Sequence, residues 1–241
     1  MRLRLVAAAI AAEMERPSGI RILHVTDLHN RLSGFRFCSA LIGAVTADVV
    51  VDTGDLSGLG SGAETLLVGI FGKLPIPRVF VAGNHDSGAC SGIFRNAGAC
   101  VMDEPAVCEV AGVRFWGHRD PNRTRLFQGR RYDNSLCVRA AETIRPSEKS
   151  APVVAAVHNE RMVLPGPSVP LVLGGHFHLP KVYRKQDTVY VRTGSTGGGG
   201  PFGSALHASV IDVDPGTYRP RAIWLVSADR GRPGVIPMTL S

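Results

Sequence analysis

The sequence predicts an α/β fold, and two observations support that prediction. In the first half of the chain, near-continuous apolar runs alternate with helical segments, which is typical of a sheet covered on both faces. In the second half, few helices separate the strand-like runs, which favours a more antiparallel sheet. We therefore expect one domain built of two packed sheets.

The individual elements follow from these patterns. In the first half we expect strands over residues 20–27, 48–55 and 78–86, and helices over 35–47, 63–73 and near Ile93. In the second half we expect a helix over residues 136–144 and strand-like runs within 106–110, 113–116, 151–160, 169–180, 181–184, 188–192, 207–213 and 222–226. Residues 19–230 are expected to form the domain, and residues 231–241 a tail.

Residues 1–18 are expected to form an N-terminal stub or a short amphipathic helix. Two arginines precede the apolar run 5–12, as at the start of a signal peptide, but the run meets Glu13 and Glu15. A membrane-spanning helix needs about 20 apolar residues. We therefore expect a cytoplasmic protein, with peripheral contact to an anionic membrane as a further option.

The net charge and the cysteine pattern indicate which partners and which kinds of site the protein can have. The net charge of +7 and the pI of about 9.5 favour anionic partners, unless the arginines serve solubility alone. The five cysteines contain no CxxC pair, which leaves a zinc ribbon unsupported, and their odd number rules out complete disulfide pairing. We expect them to be small buried side chains in a reducing compartment.

Side chains that can bind metal ions stand at the ends of five apolar runs. They are Asp27 and His29, Asp55, Asn84 with His85 and Asp86, His158, and His176 with His178. Ligands of open α/β sheets bind beyond the carboxyl ends of the strands. If the strands are parallel neighbours, these five ends converge on one place.

Imidazoles and carboxylates together have the composition of a metal site. Each motif alone is also typical of a capped turn, and their joint occurrence is what favours metal binding. The candidate ligands are too many for one ion and favour two ions that share a carboxylate: Asp27, His29, Asp55, Asn84, His158, His176 and His178. The mixed nitrogen and oxygen donors suit Mn, Fe or Zn better than Ca or Mg.

These blocks, in this order, resemble the calcineurin-like metallophosphoesterase superfamily over residues 20–178. The resemblance implies a four-layer α/β-β/α sandwich of two packed mixed sheets flanked by helices, and a dinuclear metal centre. It also implies how the ligands divide: Asp27, His29 and His178 on one ion, Asn84, His158 and His176 on the other, and Asp55 bridging both.

The resemblance also implies a mechanism. A hydroxide that bridges the two divalent ions would attack phosphorus in line with the leaving group. His85, the family's non-ligand imidazole, would protonate the leaving group or stabilise the transition state, and Asp86 would orient the loop. We therefore expect a dinuclear-metal-dependent phosphohydrolase that cleaves phosphodiester or phosphomonoester bonds.

The substrate is less defined by the sequence. The loop 117–134 contains Arg119, Arg123 and Arg125, which could clamp a phosphate or could equally be solvated. The glycine-rich segment 195–203 could approach a substrate or form a plain turn. The Asp-Arg pair that some family branches carry after the Gly-Asp block is absent, which argues against a phosphoprotein phosphatase.

Two alternatives remain beside the phosphohydrolase. One is a nuclease of the same fold, which the charge permits and the aromatic content of 6% does not favour. The other is a catalytically silent binding scaffold, which the intact ligand positions disfavour. An anionic phosphate ester is the expected partner, and the sequence gives no indication of an oligomeric state.

Overall fold

The computed structural model describes residues 2–14, 19–58, 69, 74–122, 132–146, 151–199 and 205–238. All but one residue of the helix expected over 63–73 lies outside this part of the chain. The helices are α1 Arg2–Ala12, α2 Leu32–Ala44, α3 Gly88–Asn96 and α4 Asn134–Thr143. A 3₁₀ turn spans Glu160–Met162.

The strands form two sheets. They are β1 Ile20–Val25, β2 Val49–Asp52, β3 Arg78–Phe80, β4 Cys100–Val101, β5 Ala106–Val110, β6 Val113–Gly117, β7 Val154–Ala156, β8 Leu171–Gly174, β9 Lys181–Lys185, β10 Thr188–Arg192, β11 Leu206–Val213, β12 Pro220–Asp229 and β13 Arg232–Pro237. One sheet has seven strands in the order β13-β12-β11-β1-β2-β3-β4, and the other has six in the order β5-β6-β7-β8-β10-β9.

Three apolar clusters separate four layers, because alternate side chains of each strand face opposite sides. Leu23 and Val50 face a cluster that α1, α2 and α3 cover, whereas Ile22 and Val51 face the other sheet. A third cluster packs α4 against the outer face of the six-stranded sheet, where Trp116 and other residues lie. Burial of one such large side chain contributes about 1.5–3 kcal/mol. The expected α/β-β/α sandwich of two mixed sheets is confirmed.

The strand pairing differs from expectation in the second half of the chain. The centre of the six-stranded sheet is parallel, since β6, β7, β8 and β10 run side by side, and only the edge strands β5 and β9 are antiparallel. The antiparallel strands β11, β12 and β13 instead extend the first sheet beyond β1. Strand β4, and β13 within the segment 231–241 expected to be a tail, were not predicted.

Helix α1 packs against α2 and β13. Its buried side chains are Val6, Ala7 and Ile10, while Leu5 is exposed. The Arg2 guanidinium donates a hydrogen bond to the carbonyl oxygen of Arg230 at the turn between β12 and β13. Among the described residues, no helix has both the length and the apolar character that crossing a membrane requires.

One pair of cysteines departs from the expectation of five free thiols. Cys100 on β4 and Cys108 on β5 form a disulfide, so the bond joins the edge strands of the two sheets. Cys38, Cys90 and Cys137 are free and buried.

We expect three free thiols in protein that is unfolded without reductant, because two of the five cysteines are paired. Reduction should lower the free energy of unfolding by about 2–4 kcal/mol, since the bond restricts the unfolded chain. A thiol titration and urea unfolding with and without reductant measure both quantities. A Cys100→Ser, Cys108→Ser double variant is the control and should not respond to reductant. Five thiols before reduction would contradict the pairing.

Candidate metal centre

The expected ligands come together at one end of the sandwich, and both sheets contribute. Asp27 and His29 follow β1, Asp55 follows β2, and Asn84 follows β3, all from the seven-stranded sheet. His158 follows β7, and the segment with His176 and His178 follows β8 of the six-stranded sheet. Because these strands are parallel within their sheets, their carboxyl ends open at the same edge.

Asp27, His29 and His178 form the first cluster, and one potential ligand atom from each lies within 4.8 Å of the others. The Nε2 atom of His178 is 3.2 Å from Asp27 Oδ1, and the Nε2 atom of His29 is 3.7 Å from the same oxygen. The two Nε2 atoms are 3.0 Å apart. Two imidazole nitrogens and a carboxylate oxygen therefore point at a common centre.

Asp55, His158 and His176 form the second cluster, which meets the same 4.8 Å criterion. The Nε2 atom of His158 is 3.2 Å from Asp55 Oδ2. Asn84, which follows β3, is buried. The backbone N–H of the next residue, His85, donates to Asp55 Oδ1 over 2.8 Å. Asp55 thus lies between the loop that follows β3 and the histidine of β7.

The imidazole tautomers argue that a cation belongs in these clusters. The Nδ1 atom of His158 lies 2.8 Å from the carbonyl oxygen of Thr53, so Nδ1 must carry the proton that it donates. Nε2 then faces the Asp55 carboxylate, where it can hold a metal ion through its lone pair or, without one, the proton that the carboxylates favour. His29 repeats this arrangement, with Nδ1 at 3.3 Å from the carbonyl oxygen of Ser57. Metal-ligating histidines show this arrangement, in which the outer nitrogen donates to a carbonyl oxygen and the inner nitrogen faces the other ligands.

Unsatisfied buried atoms support the same conclusion. Within the described part of the chain, Asp27 Oδ1 and His158 Nε2 are buried and make no hydrogen bond of acceptable geometry, although charged neighbours lie 3.2 Å away. Buried polar atoms are rarely left in this state without a ligand or an ion. The donor set, imidazole nitrogen with carboxylate oxygen, fits Zn, Mn or Fe.

The electrostatics of the site call for positive charge. Burial alone would raise the pKa of Asp27 and of Asp55, but His178 and His158 outweigh it and hold both pKa values below the ordinary range. Burial would lower the pKa of His158, yet the charges of Asp55 and Asp27 raise it well above normal. Burial lowers the pKa of His176 to about 4, with a further contribution from His158. Both carboxylates therefore remain ionised at neutral pH.

The ligand loops adopt a backbone that most side chains avoid. Five ligands have positive φ angles: Asp27 at 53°, His29 at 45°, Asp55 at 54°, His176 at 68° and His178 at 56°. Such residues cost about 1–3 kcal/mol each and persist where the surroundings hold them. This turn out of the strand also explains why β1 and β2 end before Asp27 and Asp55, earlier than the sequence predicts.

Close contacts between the loops hold this backbone in place. A Cβ atom at Gly83 would overlap Asp55, and one at Gly175 would overlap Thr26, so these positions need glycine. Thr26 Oγ1 and the backbone N–H of His176 both donate to Asp27 Oδ2 over 2.9 Å. The glycines of the sequence motifs thus allow the ligand loops to touch.

Asp86 is buried and serves the backbone. Its Oδ2 atom accepts hydrogen bonds from the N–H groups of Asp55 at 2.7 Å and Gly83 at 2.9 Å, and its Oδ1 atom accepts one from Ser57 at 3.0 Å. Burial, followed by the charge of Asp55, raises the pKa of Asp86 to about 6. Both carboxylate oxygens are therefore engaged by the backbone, and the loop-orienting role of Asp86 stays a prediction.

His85 is the site imidazole that stands outside both clusters. Its side chain is 28% exposed, and its Nε2 atom is 3.9 Å from Asp55 Oδ2. Its ring meets the ring of His29 edge to face, with centroids 5.6 Å apart. His85 therefore lies beside both clusters and is partly exposed.

The glycine-rich segment supports Asp27, a contact that the sequence did not predict. Ser195 Oγ and the backbone N–H of Gly197 donate to the carbonyl oxygen of Asp27 over 2.8 and 3.1 Å. The backbone N–H of Thr196 donates to the carbonyl oxygen of Thr26. No local sequence signal identifies these contacts, because the partners are far apart along the chain.

Of the three arginines that could clamp a phosphate, the structure describes only Arg119. Arg119 lies after β6, half-buried, and His118 Nδ1 is 3.0 Å from its carbonyl oxygen. No described contact joins the Arg119 side chain to either cluster. Arg123 and Arg125 lie outside the described residues.

Comparisons with solved structures find proteins of similar fold. An archaeal phosphodiesterase has a TM-score of 0.53 at 12% identity, covering 91% of this chain and all of its own. A Vps29 single mutant from Entamoeba histolytica has a TM-score of 0.53 at 14% identity, with 92% and 100% covered. Vps29 from Chaetomium thermophilum has a TM-score of 0.51 at 13% identity, with 91% and 97% covered. At these identities the likeness concerns the fold.

Comparison with curated proteins finds no significant match. The model of one protein family, described as calcineurin-like phosphoesterase, matches residues 20–180. The matched segment includes every strand end that supplies the two clusters. This chain belongs to the calcineurin-like phosphoesterase family.

Proposed function

We propose that this protein is a phosphoesterase that depends on a dinuclear metal centre and hydrolyses phosphodiester or phosphomonoester bonds. The observation that supports it most directly is the pair of clusters in which imidazole nitrogens face ionised carboxylates. The family match supports the reaction class. Five of the seven proposed ligands take positive φ angles, a backbone cost that a silent scaffold would have no need to carry.

The proposed ligand division follows the two clusters. Asp27, His29 and His178 would bind one ion, and His158 and His176 would bind the other together with Asn84. Asp55 would be shared, because its carboxylate lies near His158 and is influenced by the charges of His29 and His85. Mn, Fe or Zn would suit this donor set.

Bound divalent cations would activate water for attack at phosphorus and neutralise charge on the phosphoryl oxygens. The chain itself supplies the remaining functions. His85, partly exposed beside both clusters, would hold a proton at Nε2 and donate it to the leaving alkoxide. Asp86 would keep the backbone of Asp55 and Gly83 in register, so that His85 stays aimed at the substrate.

The expected substrate is an anionic phosphate ester, in keeping with the net charge of +7. Nucleic acid is a weaker candidate because aromatic residues make up only 6% of the chain. Contact with an anionic membrane would have to involve the exposed basic and apolar residues of α1, such as Leu5.

The direct test is hydrolysis of an aryl phosphodiester and of the matching monoester by Mn-loaded protein, with chelated protein as the control. Turnover that chelation abolishes and Mn restores would support the proposal. The ratio of diester to monoester turnover would identify the class of ester. Metal-loaded protein that hydrolyses neither ester would favour a binding scaffold.

Replacing His85 by Ala should lower kcat by about 10²–10⁴-fold while two ions remain bound, because the imidazole acts on the leaving group. Steady-state kinetics and metal analysis of the purified variant check both parts. His207→Ala, which removes an imidazole on β11, is the matched control and should keep its turnover. Loss of metal from the His85 variant would contradict the non-ligand role.

Replacing Asp55 by Asn should lower the affinity for both ions together, because a neutral amide cannot bridge two cations as a carboxylate does. Calorimetric titration of apo protein with Mn or Zn measures the two affinities. Asp103→Asn is the matched control, since Asp103 pairs with Arg95 and Ser91. Selective loss of one ion in the Asp55 variant would contradict the bridging role.

A further inference from the structure

Tyr132 stacks on one of the expected metal ligands. Its ring lies 3.8 Å from the ring of His176, measured between centroids, at an interplanar angle of 29°. The rings of Phe177 and His158 also meet the imidazole nearly perpendicularly, with centroids 5.0 and 5.2 Å away. The plane of the His176 ring is thus fixed by aromatic packing.

His176 differs in this respect from two other histidines of the site. His29 and His158 are oriented by Nδ1, which faces a backbone carbonyl oxygen in each case. No described hydrogen bond involves the ring of His176. Since a ligating imidazole needs some outer contact to fix its orientation, the stacked phenol ring takes the place of the missing hydrogen bond.

The hydroxyl group of Tyr132 bonds to two side chains that adjoin the segments carrying His158 and Asn84. It donates to Asp120 Oδ2 over 2.6 Å and accepts from Asn159 Nδ2 over 3.0 Å. Asn159 directly follows His158. The backbone N–H of Asp120 donates to the carbonyl oxygen of Ala82, two residues before Asn84.

Contacts of the Tyr132 side chain therefore extend to the ends of three strands. They run by stacking to His176, through Asn159 to His158, and through Asp120 to the segment that holds Asn84. Both Asn159 and Asp120 are at most 1% exposed, so the network is built into the interior. No described contact links Tyr132 directly to Asp27, His29 or His178.

We propose that Tyr132 is a positioning residue for one ion of the pair, the ion assigned to Asn84, His158 and His176. The inference rests on the proposed dinuclear centre. The phenol ring sets the plane of His176, and the hydroxyl group holds the backbone segments that carry the other two ligands. The ion held by Asp27, His29 and His178 does not depend on it.

The test is a titration of apo protein with Zn, in which the affinity for each ion is measured separately. Tyr132→Leu keeps an apolar side chain but removes the stack and the hydroxyl group. We expect the ion at Asn84, His158 and His176 to bind about 10–100-fold more weakly, the usual effect of losing an outer contact of a metal ligand. The affinity for the other ion should stay within about twofold of wild type.

Two backgrounds identify which ion is affected. In a His29→Ala protein the remaining strong site is the one that Tyr132 positions, so adding Tyr132→Leu should weaken it. In a His176→Ala protein the remaining site is the other one, and the same addition should leave it unchanged. Tyr183→Leu is the matched control, because Tyr183 stacks on Tyr190 at 4.9 Å, a stack that includes no expected ligand.

A second variant isolates the hydroxyl group and serves if Tyr132→Leu does not fold. Tyr132→Phe keeps the ring over His176, so we expect a smaller, several-fold loss for the same ion. Equal weakening of both ions, or unchanged affinity for both, would overturn the positioning role while leaving the dinuclear centre in place. Wild-type protein that binds fewer than two ions would overturn both proposals.

Discussion

Buried negative charge is the constraint on which the rest of this site depends. Asp27 and Asp55 are at most 2% exposed and remain ionised, and a buried carboxylate without compensation costs on the order of several kcal/mol. The backbone carbonyls opposite His29 and His158 accept from Nδ1, so Nε2 of each ring is directed toward the carboxylates, where it can hold a cation or, without one, a proton. This arrangement is suited to divalent cations.

The same constraint explains the backbone strain at the ligand residues. If the chain continued as a strand, successive side chains would point to opposite faces of the sheet and could not meet at its end. The chain therefore turns after the strands, and five ligands take positive φ angles. Asp86 stabilises this turn by accepting three backbone hydrogen bonds, and Gly83 and Gly175 let neighbouring loops touch. Local strain and the contacts that offset it therefore occur at the same positions.

Packing of the two sheets assembles the site, because each cluster takes ligands from both. Asp27 and Asp55 come from the seven-stranded sheet, and His158 and His178 from the six-stranded sheet. The apolar cluster between the sheets sets their separation, and the Cys100–Cys108 bond joins their edges. Loss of the inter-sheet core would therefore separate the ligands as well as unfold the protein.

The sequence by itself determined the α/β class, most of the strands and the kinds of side chain at the strand ends, because these depend on local alternation and on motifs such as Gly-Asp and Gly-His-x-His. The tertiary structure alone decided that β11–β13 extend the first sheet and that Cys100 pairs with Cys108. It alone also brought Ser195 into a hydrogen bond with the carbonyl oxygen of Asp27 and stacked Tyr132 on His176. The physical reason is that these contacts join residues distant in sequence, whose meeting depends on how the two sheets pack.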